Sequence, residues 1–155
     1  MNYSILFICT GNICRSPMAE GLFQKITEDD EASFDVRSAG VATGGGQGPS
    51  KYTLDILKEE GIDLSSNKSQ FLDRELIDWA SHIFTMSASH LYTVNKMFPD
   101  VAEKTFLVTE FCDNELITRQ DVPDPYGGNR NEYEHTRDLL NESLPSLVNF
   151  IKTNI

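Results

Sequence analysis

The stretch Cys9-Thr-Gly-Asn-Ile-Cys-Arg-Ser16 joins two patterns of different period, and that junction limits what the chain can become. Before it runs the apolar segment Ile5-Leu6-Phe7-Ile8; after it come Pro17 and the helically spaced Ala19, Leu22, Phe23 and Ile26. The order is strand, tight loop, helix. Such a junction turns several backbone N–H groups and the positive end of a helix dipole toward one point, which suits an anion. Gly11 is expected to give the loop a positive φ, and Asn12 tolerates one. Ser16 and Pro17 fit the N-cap and first turn of the helix. Cys9 supplies a nucleophile, and Arg15, six residues on, a planar fork for phosphate oxygens. Thr10, Gly11, Asn12, Ile13, Cys14, Arg15 and Ser16 are thus read as a phosphate cradle with its own nucleophile.

Strand and helix patterns alternate through the rest of the chain. Phe34 to Ser38 alternates as a second strand, and the glycine-rich stretch from Gly40 to Ser50 is loop. Its glycines do not meet the Gly-x-Gly-x-x-Gly spacing of a dinucleotide fingerprint. Thr53, Leu54 and Leu57 mark a helix stopped by Gly61, and Asp73 begins a short one. His82 to Met86 reads as a third strand, followed by a helix carrying Leu91, Val94 and Phe98, and Lys104 to Val108 as a fourth strand. A long polar connection then reaches Asp124-Pro125-Tyr126-Gly127-Gly128. From Glu132 a helical pattern runs almost to the end, expected to kink or split at Pro145. This alternation predicts an α/β fold with a parallel sheet covered on both faces, a three-layer sandwich whose ligands bind at the carboxyl ends of the strands. At 155 residues, one domain spanning 1–155 is expected.

Composition narrows the partners. A net charge of −11 argues against a nucleic-acid surface and against docking on anionic membrane, so attraction for an anionic substrate has to be local. No apolar run approaches the roughly 20 residues of a membrane span, and the first residues lack the basic region of a signal peptide. Three cysteines, two of them in one loop, do not make an extracellular disulfide framework, so a reduced cytoplasm is expected. His82, His90 and His135 are dispersed without partners at ligand spacing, so neither metal nor cofactor is expected.

The chemistry of the loop follows from its residue types. Only a thiolate attacks, and converging N–H groups, a helix N-terminus and Arg15 all favour that anion at Cys9; Ser16 can donate a further hydrogen bond to the sulfur. The same cradle suits the equatorial oxygens of a phosphoryl group in transfer, with Arg15 binding two of them. Asp124, in a proline-stiffened loop after the fourth strand, is the candidate proton donor to the leaving group. The intermediate would be a phosphocysteine, hydrolysed by water with Asp124 acting as base. Cys14 is either a packing residue or a redox partner that protects Cys9 through an intraloop disulfide. Cys112 is read as structural.

Cys9-Thr-Gly-Asn-Ile-Cys-Arg-Ser-Pro-Met-Ala-Glu20, with Arg37-Ser-Ala-Gly40 and Asp124-Pro-Tyr126, closely resembles the low-molecular-weight protein tyrosine phosphatases. The resemblance spans essentially the whole chain. It implies a four-stranded parallel sheet of order 2-1-3-4 and metal-free hydrolysis of phosphomonoesters on proteins or peptides by a monomer. It further implies Cys9 as nucleophile, Arg15 as phosphate ligand, Asp124 as general acid, and Asn12, Ser16 and Ser38 as the hydrogen-bond network holding the loop. Ile13 and Tyr126 fall at the substrate pocket. The Gly127-Gly128 pair is similar to the bacterial branch, which includes protein arginine phosphatases, but those tend to carry a small polar Thr where this chain has Ile13. A branched apolar side chain packs on a phenyl ring and offers nothing to a guanidinium, so phosphotyrosine is the expected substrate and phosphoarginine the alternative. Arsenate reductases of this fold need further cysteines to relay oxidation, and beyond Cys14 only Cys112 remains. A phosphate-binding module without catalysis is disfavoured by the intact Cys9, Arg15 and Asp124.

Overall fold

The first strand, β1 (Asn2–Cys9), is apolar without alternation from Ile5 onward because both of its faces are covered there. Tyr3, Ile5, Phe7 and Cys9 enter one hydrophobic cluster, while Leu6 and Ile8 enter another. Successive side chains of a strand point to opposite faces, so this split assigns the helices to layers. The first cluster takes Met18, Leu22 and Phe23 from α1 (Arg15–Thr27), Ile56 and Leu57 from α2 (Lys51–Glu59), and Leu140, Leu144, Leu147 and Ile151 from α5 (Arg130–Thr153). The second takes Leu76 and Ile77 from α3 (Arg74–Trp79) and Val94 from α4 (Ala88–Met97). The result is the expected three-layer sandwich, described by a computed structural model over residues 1–153.

The sheet has four strands in the order β2-β1-β3-β4, where β2 is Ser33–Gly40, β3 is His82–Thr85 and β4 is Thr105–Leu107. All three pairings are parallel. Strand order reverses between β1 and β3, and an open α/β sheet binds ligands in the crevice outside that reversal. The loop after β1 therefore opens beside the turns that follow β3 and β4.

Two local expectations are corrected. The N-cap of α1 is Cys14, not Ser16, and no side chain caps it. The helix starts inside the loop because the Ser16 hydroxyl is already engaged by Asn12 and Cys9. Helix α5 is not split at Pro145 but runs through it from Arg130 to Thr153. An internal proline costs about 3 kcal/mol. Against this, Leu140, Leu144, Leu147 and Ile151 are fully or almost fully buried on both sides of it, each contributing roughly 1.5–3 kcal/mol. The stripe outweighs the missing hydrogen bond.

β2 ends on a residue without a side chain because the loop leaves no room for one. A Cβ on Gly40 would lie 2.5 Å from the Thr10 carbonyl oxygen and 3.1 Å from the Asn12 nitrogen, both backbone atoms. Gly40→Ala is accordingly expected to destabilise the protein by about 1–3 kcal/mol. Gly44→Ala, whose Cβ meets nothing within 4 Å, is expected to stay within about 0.5 kcal/mol of wild type. Urea denaturation of the two variants checks this; equal stabilities would contradict the packing of β2 on the loop.

Candidate active site

The loop after β1 is held from behind by a hydrogen-bond network whose direction can be read from its ends. Asn12 takes the left-handed conformation, with φ of 59°, whereas Gly11 is not among the positive-φ residues, contrary to expectation. Its side chain is oriented by the backbone N–H of Gln70, which donates to Oδ1 at 3.0 Å and leaves Nδ2 to donate. Nδ2 donates to Ser16 Oγ at 2.8 Å and to Ser38 Oγ at 2.9 Å. Ser38 passes its own proton to Glu20 Oε1 at 2.6 Å. With its oxygen accepting from Asn12, Ser16 is free to donate to Cys9 Sγ at 3.0 Å, and the Asn12 backbone N–H donates to the same sulfur at 3.3 Å. The sulfur thus receives two donors just ahead of the N-terminus of α1.

Glu20 anchors the far end of this network. It is buried, accepts from Ser38 and from Asn67 Nδ2 at 3.1 Å, and burial raises its pKa against those two bonds.

Arg15 closes the loop in front of the sulfur. Its guanidinium donates to the Val122 carbonyl at 3.0 Å and to Thr10 Oγ1 at 3.3 Å, and Nη2 lies 3.6 Å from Asp124 Oδ2. Nε is buried and has no partner among the described residues. A buried N–H with nothing to donate to is costly, so this atom is suited to an oxyanion in the cleft. Asp124 is half-exposed, and its Oδ1 accepts from the Tyr126 backbone N–H at 3.1 Å, an Asx turn that holds the carboxyl at the rim.

Cys9, Thr10, Gly11, Ile13, Cys14, Arg15, Asp124 and Tyr126 line one cleft of about 260 Å³, together with Gln47. That volume accommodates a phosphoryl group and little beyond one flat substituent. Asn12, Ser16 and Ser38 are brought together behind the cleft rather than in its wall. Cys14 also has a second contact away from the cleft: its sulfur meets Tyr133 Oη at 3.3 Å, burial pushes the thiol pKa up, and Tyr133 is pushed up to about 12, first by burial and then by that contact. Cys112 is buried and contacts the Glu142 carbonyl at 3.6 Å. Among the described residues no group of histidines, cysteines and carboxylates is arranged to hold a metal ion, and no helix is long and apolar enough to cross a membrane.

The profile described as low molecular weight phosphotyrosine protein phosphatase matches residues 4–155. The chain belongs to that family. It is therefore a cysteine-dependent phosphatase. A protein-arginine-phosphatase of Geobacillus stearothermophilus is 37% identical over 153 residues, covering 99% of this chain and 99% of the relative. A low molecular weight protein-tyrosine-phosphatase of Streptomyces coelicolor is 30% identical over 163 residues, covering 100% of this chain and 97% of the relative. The solved low molecular weight protein tyrosine phosphatase of T. tengcongensis superposes with a TM-score of 0.87 at 34% identity, covering 95% of this chain and 98% of that one.

Sequence reasoning missed Glu20, Gln47, His90 and the Val122 carbonyl as parts of this phosphatase's site. Glu20 had a weak signal, a charge directly between the small Ala19 and Gly21 in the first turns of a helix that leads out of the loop. His90 had a weaker one, since it follows β3 at the carboxyl edge where ligands gather. The imidazole is buried, with Nε2 2.8 Å from Thr10 Oγ1 and Nδ1 2.9 Å from Ser87 Oγ.

Burial, and then the Arg15 charge, lower the His90 pKa from 6.5 to about 4. The unfolded chain consequently binds the extra proton in the window between those values. Stability from this group is complete above pH of about 6.5 and is lost as pH falls toward 4. Glu20, whose pKa is raised, works in the opposite sense, so the test is a difference. The unfolding free energy of wild type is expected to fall relative to that of His90→Gln between about pH 7 and about pH 4.5, read by urea titration. A constant difference would contradict the neutral, buried imidazole.

Proposed function

We propose that this phosphatase hydrolyses phosphotyrosine in proteins or peptides through a phosphocysteine intermediate. The observation that carries the substrate class is Ile13, a branched apolar side chain in the wall of the cleft with Tyr126 at the rim. A phenyl ring between them buries apolar area on both faces, whereas a guanidinium there would lose water without gaining an acceptor from Ile13.

In this reading the Cys9 thiolate attacks phosphorus as the bond to the phenolic oxygen breaks. The leaving oxygen takes its proton from Asp124, and the three equatorial oxygens are held by the loop amides and by Arg15 through Nε and one Nη. Asp124 lies 3.6 Å from Arg15, so both groups face the same small volume. Water then attacks the phosphocysteine while Asp124, now a carboxylate, takes its proton; inorganic phosphate leaves and the thiolate returns. Asn12, Ser16 and Ser38 hold the loop. Cys14 stands beside the nucleophile in the same cleft and is assigned as its redox partner, a role suited to a reducing cytoplasm; all three cysteines are free.

Phosphoarginine is the second reading, favoured by the 37% identical relative named a protein-arginine-phosphatase. Turnover of phosphotyrosine and phosphoarginine peptides by wild type and by Ile13→Thr separates the two. Wild type is expected to prefer phosphotyrosine, and the variant to shift by about tenfold or more toward phosphoarginine. A wild type that prefers phosphoarginine would overturn the assignment.

The mechanism has its own test. Cys9→Ser is expected to abolish hydrolysis of an aryl phosphate. Asp124→Ala is expected to lower kcat by about 100- to 10,000-fold, and to accumulate phosphocysteine detectable by mass spectrometry after rapid quench. No hydrolysis by reduced wild type would sink the proposal, and an Asp124→Ala variant of unchanged kcat would remove Asp124 from it.

A further inference from the structure

We propose that His90 is a positioning residue for Arg15, acting through the hydroxyl of Thr10. The proposal rests on the reading above that Arg15 grips the phosphoryl oxygens, and extends it to a side chain that does not touch substrate. His90 lies on the first turn of α4, outside the loop and 80 residues from Thr10 in sequence. It is nonetheless the second neighbour of the guanidinium.

Hydrogen-bond accounting gives the contact a direction. Thr10 Oγ1 accepts from Arg15 Nη2 at 3.3 Å, so one lone pair is committed to the cation. We assign its single proton to His90 Nε2 at 2.8 Å, the tautomer that gives the hydroxyl proton an acceptor and makes Nε2 the unprotonated nitrogen. Nδ1 carries the ring proton and donates to Ser87 Oγ at 2.9 Å, and Ser87 in turn donates to Ser89 Oγ at 2.8 Å. From Arg15 Nη2 through Thr10 and His90 to Ser87, each donor of this chain has one acceptor, and each bond polarises the next. Ser87 is also the N-cap of α4, so the chain ends on a fixed helix terminus rather than on a mobile side chain.

The consequence concerns which contacts of Arg15 persist during turnover. Val122 holds Nη1 through a backbone carbonyl. Asp124 is half-exposed and has a proton to deliver, so it cannot also serve as a constant anchor. That leaves Thr10 as the one side chain that fixes the other Nη. A threonine hydroxyl rotates, and a proton turned toward the guanidinium would repel it; His90 takes that proton away from the cation. The neutral imidazole needed here agrees with its pKa of about 4, to which burial and Arg15 contribute downward and Asp121 and Asp124 upward. A protonated ring would offer Thr10 a second donor and leave the hydroxyl proton unplaced.

The test uses the full chain, reduced, near neutral pH, with two readouts. One is the Kd for inorganic phosphate by calorimetry; the other is kcat and KM on an aryl phosphate. His90→Leu removes both ring contacts at similar volume, and is expected to weaken phosphate binding by about tenfold and to lower kcat by more than it raises KM. His90→Gln keeps an acceptor for the Thr10 proton and is expected to recover to within about threefold of wild type. The decisive comparison is Thr10→Val against Thr10→Val/His90→Leu. If His90 acts through Thr10, the double variant is no worse than Thr10→Val alone. Multiplicative losses would overturn the proposal, as would unchanged phosphate affinity and kcat in a folded His90→Leu. Should His90→Leu not fold, Thr10→Val against Thr10→Val/His90→Met, which also removes both ring contacts, makes the same comparison with the same two outcomes. The affinity comparison needs no turnover, so it decides for or against His90 even if the ester is not hydrolysed.

Discussion

The conformation of Asn12 is the constraint on which the site depends. Its backbone is left-handed, an unfavourable region for an L-residue, and its side-chain amide is satisfied on every side by Gln70, Ser16 and Ser38. The strain of the turn and the three hydrogen bonds compensate one another. With that turn in place, the Asn12 N–H faces the sulfur, the Ser16 hydroxyl, which accepts from Asn12, is left to donate to the sulfur, and α1 begins where its dipole meets the cleft. The packing of β2 against the loop follows from the same turn, since the Thr10 carbonyl and Asn12 nitrogen press on Gly40.

The charge of −11 makes this arrangement necessary. A molecule that repels anions at long range has to bind a phosphoryl group with groups a few ångströms away, within the Debye length and at reduced dielectric. Arg15, the loop amides and the start of α1 meet that need; the buried Glu20 lies on the other side of the network, where Ser38 and Asn67 contain it. Two networks meet at the loop. One runs from Glu20 through Ser38 and Asn12 to the sulfur, and the other from Ser89 through His90 and Thr10 to the guanidinium. The Cys9 sulfur and the Arg15 guanidinium are thus each supported from a different layer of the sandwich.

Much of this is legible in the amino-acid sequence. The unbroken apolar run Ile5–Ile8, the alternation of strands with helices and the spacing of Cys9 to Arg15 already point to a parallel sheet with an anion site after its first strand. Asp124 was readable from its place after the fourth strand. Where the reading failed, a local rule met a tertiary demand. Ser16 suits an N-cap by type but is drawn to Cys9 and Asn12, Gly11 suits a positive φ that Asn12 takes instead, and Pro145 stays inside α5 because the buried stripe continues past it.

The sequence by itself determined the fold class and the placing of Cys9, Arg15 and Ile13 in one loop after the first strand, because these rest on residue type and on spacing within one element. Only the tertiary structure decided which partners finish the site. Glu20, Gln70, His90 and Val122 come from α1, the segment before α3, α4 and the loop before Asp124, and they meet the phosphate loop only when the sheet order brings those strand ends to one edge. Hydrogen bonds are short-range and directional, so such partnerships leave no periodicity in the chain. Packing of the two faces of β1 creates them.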